Sequence, residues 1–536
     1  MFQVKLRESY FPAVESEPVL ETTVGGVLRD AAAAAPDHVG LIGVAEGGER
    51  RRWTYAEMLD EAEQIARALR SRFEPGERVA IWAPNIPEWV LFEFGAALAG
   101  TTLVTVNPAF RPSELEYVLS QSRASALYLV PEFRGNDMRG ALEEVRSGLP
   151  ELREVVYLDD WDEVRRAGAT ELPDVSPGDA VQIQYTSGTT GFPKGALLHH
   201  RGLTNNARLC CQRLGVRHDD VWLNFMPMFH TAGCAVTTLG LVQAHATQVI
   251  MPLFDPGWAL DLVEEERATL LLAVPTMLVA LLENLSVSER DLSSLRAVLS
   301  GASTVPAELV KRTREEMGVQ FEIVYGQTEC SPVMTQTWAD DSLEDATQTI
   351  GQPLPRTEAA ILAPETHEVV ALGEIGEICT RGYHVMTGYY DMPEATVEAI
   401  DAEGWLHTGD LGSMDERGYL KITGRTKDMI IRGGENIYPR EIEDVLFEHP
   451  SVAEVAVVGI PDERWGETVA AFVRPAAGES LQEADLFAYC RGHLSPQKTP
   501  RQWVGLDEFP LTPSGKIQKF ILRDRFVAGE YEIRRV

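Results

Sequence analysis

Residues 78–106 alternate an apolar run, a helical pattern and a second apolar run, and this order constrains the fold more than any other feature. Arg78–Trp82 (RVAIW) and Thr102–Val106 (TLVTV) are short and apolar, which is typical of strands buried on both faces. Residues 86–99 between them have the composition of a helix, with Pro87 in the first turn. Strand, helix and strand in this order predict a parallel sheet covered by helices.

The same rhythm returns later in the chain. Residues 269–274 (TLLLAV) form an apolar run closed by Pro275, and residues 297–299 precede a loop of small residues, Ser300 to Ser303. Two sheets of this kind would fill the first two-thirds of the chain. The predicted fold class is therefore α/β, with a large N-terminal domain built on two α/β sheet layers.

The sequence pattern changes twice towards the C-terminus. Residues 345–424 contain short β-type segments separated by glycine and proline, such as GEIGEICTRG and GYLKITG, which predict an antiparallel β-barrel or sandwich lobe. After residue 425 the pattern predicts a compact α/β unit, with helices over residues 439–448 and 481–491 and strands over 455–458 and 469–473. We place the boundary at 425–427, which divides the chain into domains 1–424 and 428–536.

Size and charge restrict the function. The chain has 536 residues, too many for one ordinary core, and 44% apolar with 24% charged residues is typical of a soluble globular protein. Asp and Glu number 81 against 48 Lys and Arg, a formal net charge of -33. A surface this acidic repels phosphate backbones and anionic lipid headgroups, so nucleic acid is not an expected partner.

We expect a cytoplasmic protein without an integral membrane segment. No apolar run approaches the roughly 18 residues that a spanning helix needs, and the start, MFQVKLRESYF, lacks the order of a signal peptide. The six cysteines are scattered without CxxC spacing, so their pattern indicates neither a zinc site nor a disulfide framework. Free, mostly buried thiols are predicted.

The strongest local motif is YTSGTTGFPKG, residues 185–195, which follows an apolar run at residues 180–183. Its glycines allow close approach of the backbone to a ligand, its hydroxyls and N–H groups can donate to oxyanions, and Lys194 adds a mobile cation. Such a loop is suited to phosphate. It is not a Walker A sequence, because Pro193 precedes Lys194 and Gly195 follows it.

TSGTTGFPKG resembles the phosphate-loop signature of the adenylate-forming superfamily, which comprises acyl-CoA synthetases, firefly luciferases and the adenylation domains of peptide synthetases. Segments similar to the other family motifs follow in order: YGQTE at 325–329, WLHTGD at 405–410, GRTKD at 424–428 and PSGKI at 513–517. The resemblance spans about residues 180–520, whereas the first 180 residues match only in texture. It implies an AMP-forming ligase closest to fatty acyl-CoA ligases.

The resemblance implies roles for individual residues. Thr328 would face the α-phosphate of ATP, Glu329 and Thr186 would hold Mg²⁺, and Asp410 would accept hydrogen bonds from the ribose with Arg425 nearby. The implied nucleotide-binding residues are Thr186, Ser187, Gly188, Thr189, Thr190, Gly191, Lys194, Gly301, Ala302, Tyr325, Gly326, Gln327, Thr328, Asp410, Arg425 and Lys516.

The remaining motifs lie at the domain boundary or in the small C-terminal domain. The resemblance makes Lys427 the pivot of an interdomain hinge at 425–427 and Lys516 the catalytic lysine of adenylation. It also makes Gly433 and Gly434, in the loop IRGGEN, the residues that line the path of coenzyme A. The expected cofactors are therefore ATP, Mg²⁺ and coenzyme A.

These roles also satisfy the chemistry. An acyl adenylate forms when a carboxylate attacks the α-phosphorus of ATP, so two anions must meet while charge builds on pyrophosphate. Lys516 would bridge the two reactants, Mg²⁺ at Glu329 would neutralise phosphate oxygens, and Lys194 would hold the leaving β- and γ-phosphates. Lysine suits these positions because it carries a compact charge on a flexible stem.

The segment MPMFHTAG, residues 226–233, resembles the family segment beside the acyl group, in which His230 would gate its approach; a buried core histidine is the alternative. No acidic residue occurs from residue 221 to 254, which disfavours an amino acid, because its ammonium would be buried unpaired. Gly326 stands where acetate-activating relatives carry a tryptophan, which leaves room for a longer chain. The predicted acyl pocket is lined by His230, Ala232, Gly233, Gly301, Ala302, Gly326, Val333 and Met334.

A medium- or long-chain fatty acid is the predicted substrate, and a flat aryl acid such as a cinnamate is the alternative. Coenzyme A is the expected acceptor, with an acyl carrier protein second, and a homodimer stays open. A luciferase-like oxygenase and a non-catalytic nucleotide sensor are competing hypotheses. A sensor would be expected to lack Lys516 or Glu329, and both are present.

Overall fold

The computed structural model describes residues 1–45, 47–166, 170–186, 193–285, 290–303, 305–425, 427–462, 464–476, 478–512 and 515–536. Within them the chain forms two large sheets with helices, an antiparallel third sheet and a C-terminal α/β unit. This is the mixed α/β architecture that the sequence predicts, with a large N-terminal part and a smaller C-terminal part.

The first sheet has seven strands and a parallel centre. The order is Gly388–Tyr389, Lys194–His199, Ala180–Thr186, Thr102–Val106, Arg78–Trp82, Ala126–Leu129 and Glu154–Tyr157. The last five strands in this order run parallel, and the first two are antiparallel additions at one edge. The predicted helix spans Pro87–Leu98, and every residue in it except Glu88 is buried.

The second sheet has nine strands. The order is Gln352–Pro353, Val333–Gln336, Gln320–Gly326, Ala297–Ser300, Leu270–Ala273, Val221–Asn224, Thr247–Ile250, Val39–Val44 and Arg50–Thr54. The six strands from Gln320–Gly326 to Val39–Val44 are parallel, so their carboxyl ends lie at one edge. Ligands of open α/β sheets bind beyond such an edge.

Helices cover both sheets. Those of the large N-terminal part are Val24–Ala34, Tyr55–Arg70, Pro87–Leu98, Pro112–Gln121, Met138–Val145, Trp161–Val164, His200–Arg213, Gly240–Ala244, Pro256–Glu265, Pro275–Leu285, Ala307–Met317, Leu343–Gln348 and Pro393–Ala399. A π-helix spans Ala232–Leu239, 3₁₀ turns span Arg146–Gly148 and Thr328–Cys330, and a hairpin joins Glu132–Phe133 to Asn136–Asp137.

The third sheet is antiparallel, as predicted for residues 345–424. Its order is Tyr10–Phe11, Thr357–Leu362, Gly376–Gly382, Leu406–Met414 and Leu420–Arg425. The first of these strands comes from the beginning of the chain, which the local pattern did not indicate.

The C-terminal unit has its own sheet and its own core. Its strand order is Glu435–Ile437, Ile430–Arg432, Gly466–Pro475, Gln502–Gly505 and Arg534–Arg535, and Val452–Asp462 also pairs with Gly466–Pro475. Its helices are Pro439–Phe447, Glu483–His493 and Lys519–Val527. The change of sheet falls between Arg425 and Ile430, close to the predicted boundary.

All six cysteines are free and buried, which confirms the prediction made from their spacing. Burial raises the pKa of the Cys211 and Cys490 thiols to about 12. In the part of the chain that the structure describes, no helix is both long and apolar enough to cross a lipid bilayer.

Candidate active site

The Lys516 loop reaches from the C-terminal unit to the carboxyl edge of the second sheet. Its base is a hairpin in which Lys516 N donates to Thr512 Oγ1 at 3.0 Å. At its tip, Thr276 Oγ1 donates to Gly515 O at 3.1 Å. Thr276 is the second residue of the helix Pro275–Leu285, which begins two residues after the strand Leu270–Ala273. The loop therefore docks where the parallel strands end.

Gly515 is required at this contact. Its φ is +81°, and a Cβ there would lie 2.7 Å from Val274 Cγ2. Any other residue would strain the backbone and collide with the large lobe. The adjacent Pro513 and Ser514 lie outside the described residues.

Lys516 lies among the charged groups that the sequence singled out. Burial and the nearby Arg425 lower the pKa of the Lys516 ammonium to about 8, while Asp410 and Glu329 act in the opposite direction. The fold therefore places Lys516 within electrostatic reach of residues that are up to 187 positions away in the sequence.

Asp410 is the centre of a hydrogen-bonded triad. Tyr325 Oη donates to Asp410 Oδ2 at 2.8 Å, and Arg425 Nε donates to Asp410 Oδ1 at 2.8 Å. The Asp410 side chain is buried and that of Arg425 is half exposed. The two hydrogen bonds fix the orientation of the Asp410 carboxylate. The positively charged guanidinium of Arg425 lies at the rim of the cleft.

Glu329 is positioned by a tyrosine that the sequence reasoning missed. Tyr389 Oη donates to Glu329 Oε1 at 2.7 Å, and Lys194 Nζ lies 4.9 Å from the centre of the Tyr389 ring. The 3₁₀ turn that carries Glu329 packs against the strand Lys194–His199. Tyr389 thus connects the phosphate-loop lysine with the predicted Mg²⁺ ligand. No motif indicated it, because the contact spans sixty residues of sequence.

The phosphate loop itself is described only at its two ends. Thr186 and Lys194 are paired across an antiparallel hairpin, and Thr186 Oγ1 donates to Lys194 O at 3.4 Å. The predicted loop residues between them lie outside the described residues; they are Ser187, Gly188, Thr189, Thr190 and Gly191.

His230 is a neutral imidazole. Burial, with a further contribution from the Lys516 charge, lowers the pKa of His230 to about 3. The backbone N–H of Ala232 donates to His230 Nδ1 at 3.2 Å, so the ring proton is on Nε2. Ala232 and Gly233 begin the π-helix, whose eight residues are all buried. Asn85 holds the segment 226–228 with two hydrogen bonds. Its Nδ2 donates to Met226 O, and its Oδ1 accepts from Met228 N.

The structure gives a different reason for a glycine at position 326 than the one predicted. A Cβ at this position would lie 2.0 Å from Pro332 O and 2.9 Å from Met334 N. A side chain here would meet backbone atoms rather than a pocket. The absence of a tryptophan at Gly326 is therefore no measure of pocket length in this structure.

The remaining predicted residues lie in two places. Val333 is buried, with its carbonyl accepting from Asn206 Nδ2 at 2.6 Å, and Gly301 is buried beside the exposed Ala302. Lys427, Gly433 and Gly434 are exposed on the C-terminal unit. The last two form the turn between the strands Ile430–Arg432 and Glu435–Ile437.

Two family models match the chain. The model described as AMP-binding enzyme matches residues 28–390, and the model described as AMP-binding enzyme C-terminal domain matches residues 441–516. The chain belongs to the AMP-binding enzyme family. The match begins at residue 28, so limiting the resemblance to residues 180–520 was wrong. The described residues before 180 form strands and helices that are buried for the most part, which short polar motifs do not reveal.

Curated relatives align over nearly the whole chain. "Putative acyl-CoA synthetase YngI" of Bacillus subtilis (strain 168) is 40% identical, covering 95% of this chain and 98% of the relative. The mitochondrial medium-chain acyl-CoA ligase ACSF2 of Macaca fascicularis is 37% identical, covering 96% and 89%.

The crystal structure of the anthranilate CoA ligase AuaEII in complex with anthranoyl-AMP has a similar fold. It superposes with a TM-score of 0.87 at 27% identity, covering 96% of this chain and 99% of that chain. With the family membership, these relatives make the chain an AMP-forming acid–thiol ligase of the adenylate-forming superfamily, an acyl-CoA synthetase that uses ATP, Mg²⁺ and coenzyme A.

The site has donors that fit the magnesium ion. The Glu329 carboxylate and the Thr186 and Thr328 hydroxyls are hard oxygen donors of the kind that Mg²⁺ prefers. Glu329 Oε1 is oriented by Tyr389, as an outer group orients a metal ligand.

Proposed function

We propose that this enzyme converts a medium- or long-chain fatty acid to its coenzyme A thioester through an acyl adenylate. The observation that carries the proposal is the docking of the Lys516 loop on the large lobe through Thr276 and Gly515, which brings Lys516 within electrostatic reach of Arg425, Asp410, Glu329 and His230. Cations from the C-terminal unit and the large lobe surround one cleft, as the meeting of two anions requires.

In the first half-reaction, a carboxylate oxygen of the fatty acid attacks the α-phosphorus of ATP, and the bond to the bridging oxygen of pyrophosphate breaks. Lys516 is protonated at neutral pH, because its pKa of about 8 is still above 7. It would hold the carboxylate and the α-phosphate together as pyrophosphate leaves. Mg²⁺, when bound at Glu329 and Thr186, supplies charge neutralisation for the phosphate oxygens.

The ribose would be held by the triad around Asp410. Its carboxylate already accepts from Tyr325 and Arg425, and each oxygen keeps a further lone pair for a ribose hydroxyl. Lys194 at the base of the phosphate loop would take the β- and γ-phosphates.

The acyl side of the cleft supports an apolar acid. His230 is neutral, the π-helix behind it is apolar and buried, and no acidic residue occurs between residues 221 and 254. Each methylene buried there would contribute about 0.8 kcal/mol. The name of the ACSF2 relatives favours a medium chain within this class.

In the second half-reaction, a thiolate attacks the acyl carbonyl and AMP leaves. Lys516 occupies the cleft in this structure, while Gly433 and Gly434 face solvent. We infer that rotation about Lys427 exchanges the two, so that the glycine turn lines the path of coenzyme A. An acyl carrier protein is the second candidate acceptor.

A panel of acids tests the proposal. The purified chain with ATP, Mg²⁺ and coenzyme A is incubated with saturated fatty acids from acetate to stearate, and AMP, pyrophosphate and acyl-CoA are quantified. Equal amounts of all three products, with the highest kcat/KM for a medium or long chain, support it. A maximum at acetate would refute the substrate class.

An aryl acid is the second candidate, favoured by the similarity to an anthranilate CoA ligase. Benzoate, anthranilate and cinnamate in the same panel distinguish it. A higher kcat/KM for any of these than for octanoate would replace the fatty acid proposal.

A further inference from the structure

A cluster of histidine and carboxylate side chains lies in the third sheet, outside the adenylation chemistry. One ligand atom each of His367, Asp401 and His407 lie within 4.8 Å of one another. They come from three places: a turn after the strand Thr357–Leu362, the turn before Leu406–Met414, and that strand itself. His407 lies in the segment WLHTGD, but no motif contains His367 or Asp401, because only the folding of the sheet brings the three residues together.

The orientation of His407 is fixed in the way typical of a metal-bound histidine. Its Nδ1 lies 2.8 Å from Glu377 Oε2, and the other oxygen of Glu377 accepts from Gly409 N at 2.9 Å. Glu377 therefore accepts the Nδ1 proton and raises the pKa of the His407 ring, so a metal ion bound at Nε2 would displace the second ring proton. A carboxylate–histidine pair of this kind orients metal-binding imidazoles.

His407 Nε2 is buried and faces the Asp401 carboxylate, with Asp401 Oδ2 3.5 Å away, which is ion-pair distance for a protonated ring. Nε2 makes no hydrogen bond to any described residue. An unsatisfied buried nitrogen costs free energy, and in a native fold it requires an explanation.

Asp401 is oriented in a complementary way. Its Oδ1 accepts from the backbone N–H groups of Glu403 and Trp405, both at 2.9 Å, which leaves Oδ2 towards His407. Ligand atoms on a tetrahedral Zn²⁺ stand about 3.3 Å apart, given Zn–N bonds of about 2.0 Å. The separation of 3.5 Å matches this spacing.

We propose that His367, Asp401 and His407 form a Zn²⁺ site. Two imidazoles and one carboxylate suit Zn²⁺, and the exposed side of His367 leaves a fourth position for water. The bound ion fixes two turns to the strand Leu406–Met414, three residues before Asp410. The site is independent of the proposed substrate.

A second set of ligands competes with this assignment. Glu377 and Cys379 also approach His407, with Cys379 Sγ 3.5 Å from Nδ1. Nδ1 is already engaged with Glu377, whereas Nε2 makes no hydrogen bond to a described residue and faces Asp401, so the set with His367 is favoured.

Cobalt binding tests the site directly. The chain without an affinity tag is dialysed against a chelator and titrated with Co²⁺ in the absence of ATP, and Zn²⁺ is then added in competition. We expect one equivalent of Co²⁺ with visible bands of nitrogen and oxygen ligands, displaced by Zn²⁺. His367→Gln should abolish it, Glu377→Gln should weaken it by roughly 10- to 100-fold, and Cys379→Ser should leave it unchanged.

Controls keep the test decisive. His493→Gln replaces an exposed histidine of the C-terminal unit and should bind like the wild type. His367 is exposed, so His367→Gln should match the wild-type unfolding midpoint without metal, and only the wild type should gain stability with Zn²⁺. Wild-type affinity in His367→Gln, or a sulfur-to-cobalt band lost in Cys379→Ser, would overturn the proposal.

Discussion

The two parts of the cleft are held in different ways. In the large lobe, Asp410 is fixed by two hydrogen bonds at 2.8 Å and Glu329 by one at 2.7 Å, all anchored to sheets. Lys516 instead arrives on a loop in which the described residue Gly515 accepts a hydrogen bond from Thr276 of the large lobe. The large-lobe half of the site is therefore preformed, whereas the Lys516 half depends on docking of the C-terminal unit.

The contacts between the C-terminal unit and the large lobe include a weak ion pair. Arg474 and Glu283 lie 3.4 Å apart and are both partly exposed. Such a pair contributes about 0 to 1 kcal/mol. This ion pair therefore adds little to the cost of separating the C-terminal unit from the large lobe.

The two halves of the cleft also differ in the electrostatic cost of forming them. Burial in the docked position lowers the pKa of Lys516 to about 8, whereas in water the ammonium would keep its usual value. Docking a protonated Lys516 is thus penalised in the empty cleft. We infer that the phosphates of ATP offset this penalty and draw the loop in.

Removing Lys516 should have the largest effect. Lys516→Ala is expected to slow adenylation by about two to three orders of magnitude, because the charge between the two anions is lost. Conversion of preformed acyl adenylate to thioester should continue. Stopped-flow release of pyrophosphate measures the first step, and thioester formation the second. Lys519→Ala, three residues away in an ion pair with Glu443, is the control. Equal losses in both steps would refute the division between the lobes.

The pH dependence of adenylation should follow Lys516. Because the protonated form is the active one, kcat/KM should be constant below the pKa and fall by about tenfold per pH unit above about 8. Lys516→Arg keeps its charge at high pH, so its residual activity should lack this decline. A decline that persists in Lys516→Arg would assign the titration to another group.

The docking contact should matter less. Gly515→Ala forces a Cβ against Val274 at φ +81° and is expected to slow adenylation by about tenfold, with thioester formation unchanged. Gly529→Ala is a matched control, because Gly529 has φ +75° but no atom within 4 Å of its Cβ position. If both variants slowed adenylation equally, backbone strain rather than docking would be the cause.

The smallest effect is expected in the preformed half. Tyr389→Phe removes the hydrogen bond to Glu329 and keeps the ring beside Lys194. The half-saturating Mg²⁺ concentration should rise by about threefold, with kcat little changed. Tyr390→Phe is the neighbouring control. A change in kcat alone would show that Tyr389 does not act through metal binding.

Much of the fold follows from local pattern. The apolar runs at Arg78–Trp82 and Thr102–Val106 are strands as predicted, because buried parallel strands need continuous apolar sequence. The helix Val24–Ala34 ends there because Pro36 follows two residues later. The predicted strand over residues 455–458 extends to Val452–Asp462, because a partner strand pairs along its whole length.

The site was less accessible from sequence. Asp410 and Arg425 were singled out by motif, but their bonds to each other depend on pairing within the third sheet. Tyr389 and His367 carry no local signal, since each acquires its neighbours from distant strands. Gly326 is a case of the opposite kind. The sequence pattern suggested that this glycine makes room for the substrate, but the packing of neighbouring backbone atoms requires it.

The six buried thiols make this chain convenient for following its own motion. Thiolates, not thiols, react with maleimide dyes, and burial keeps these cysteines protonated and shielded. A cysteine introduced on the exposed face of each lobe would be labelled selectively in the otherwise unmodified enzyme. Energy transfer between the two dyes could then time the rotation during a single turnover.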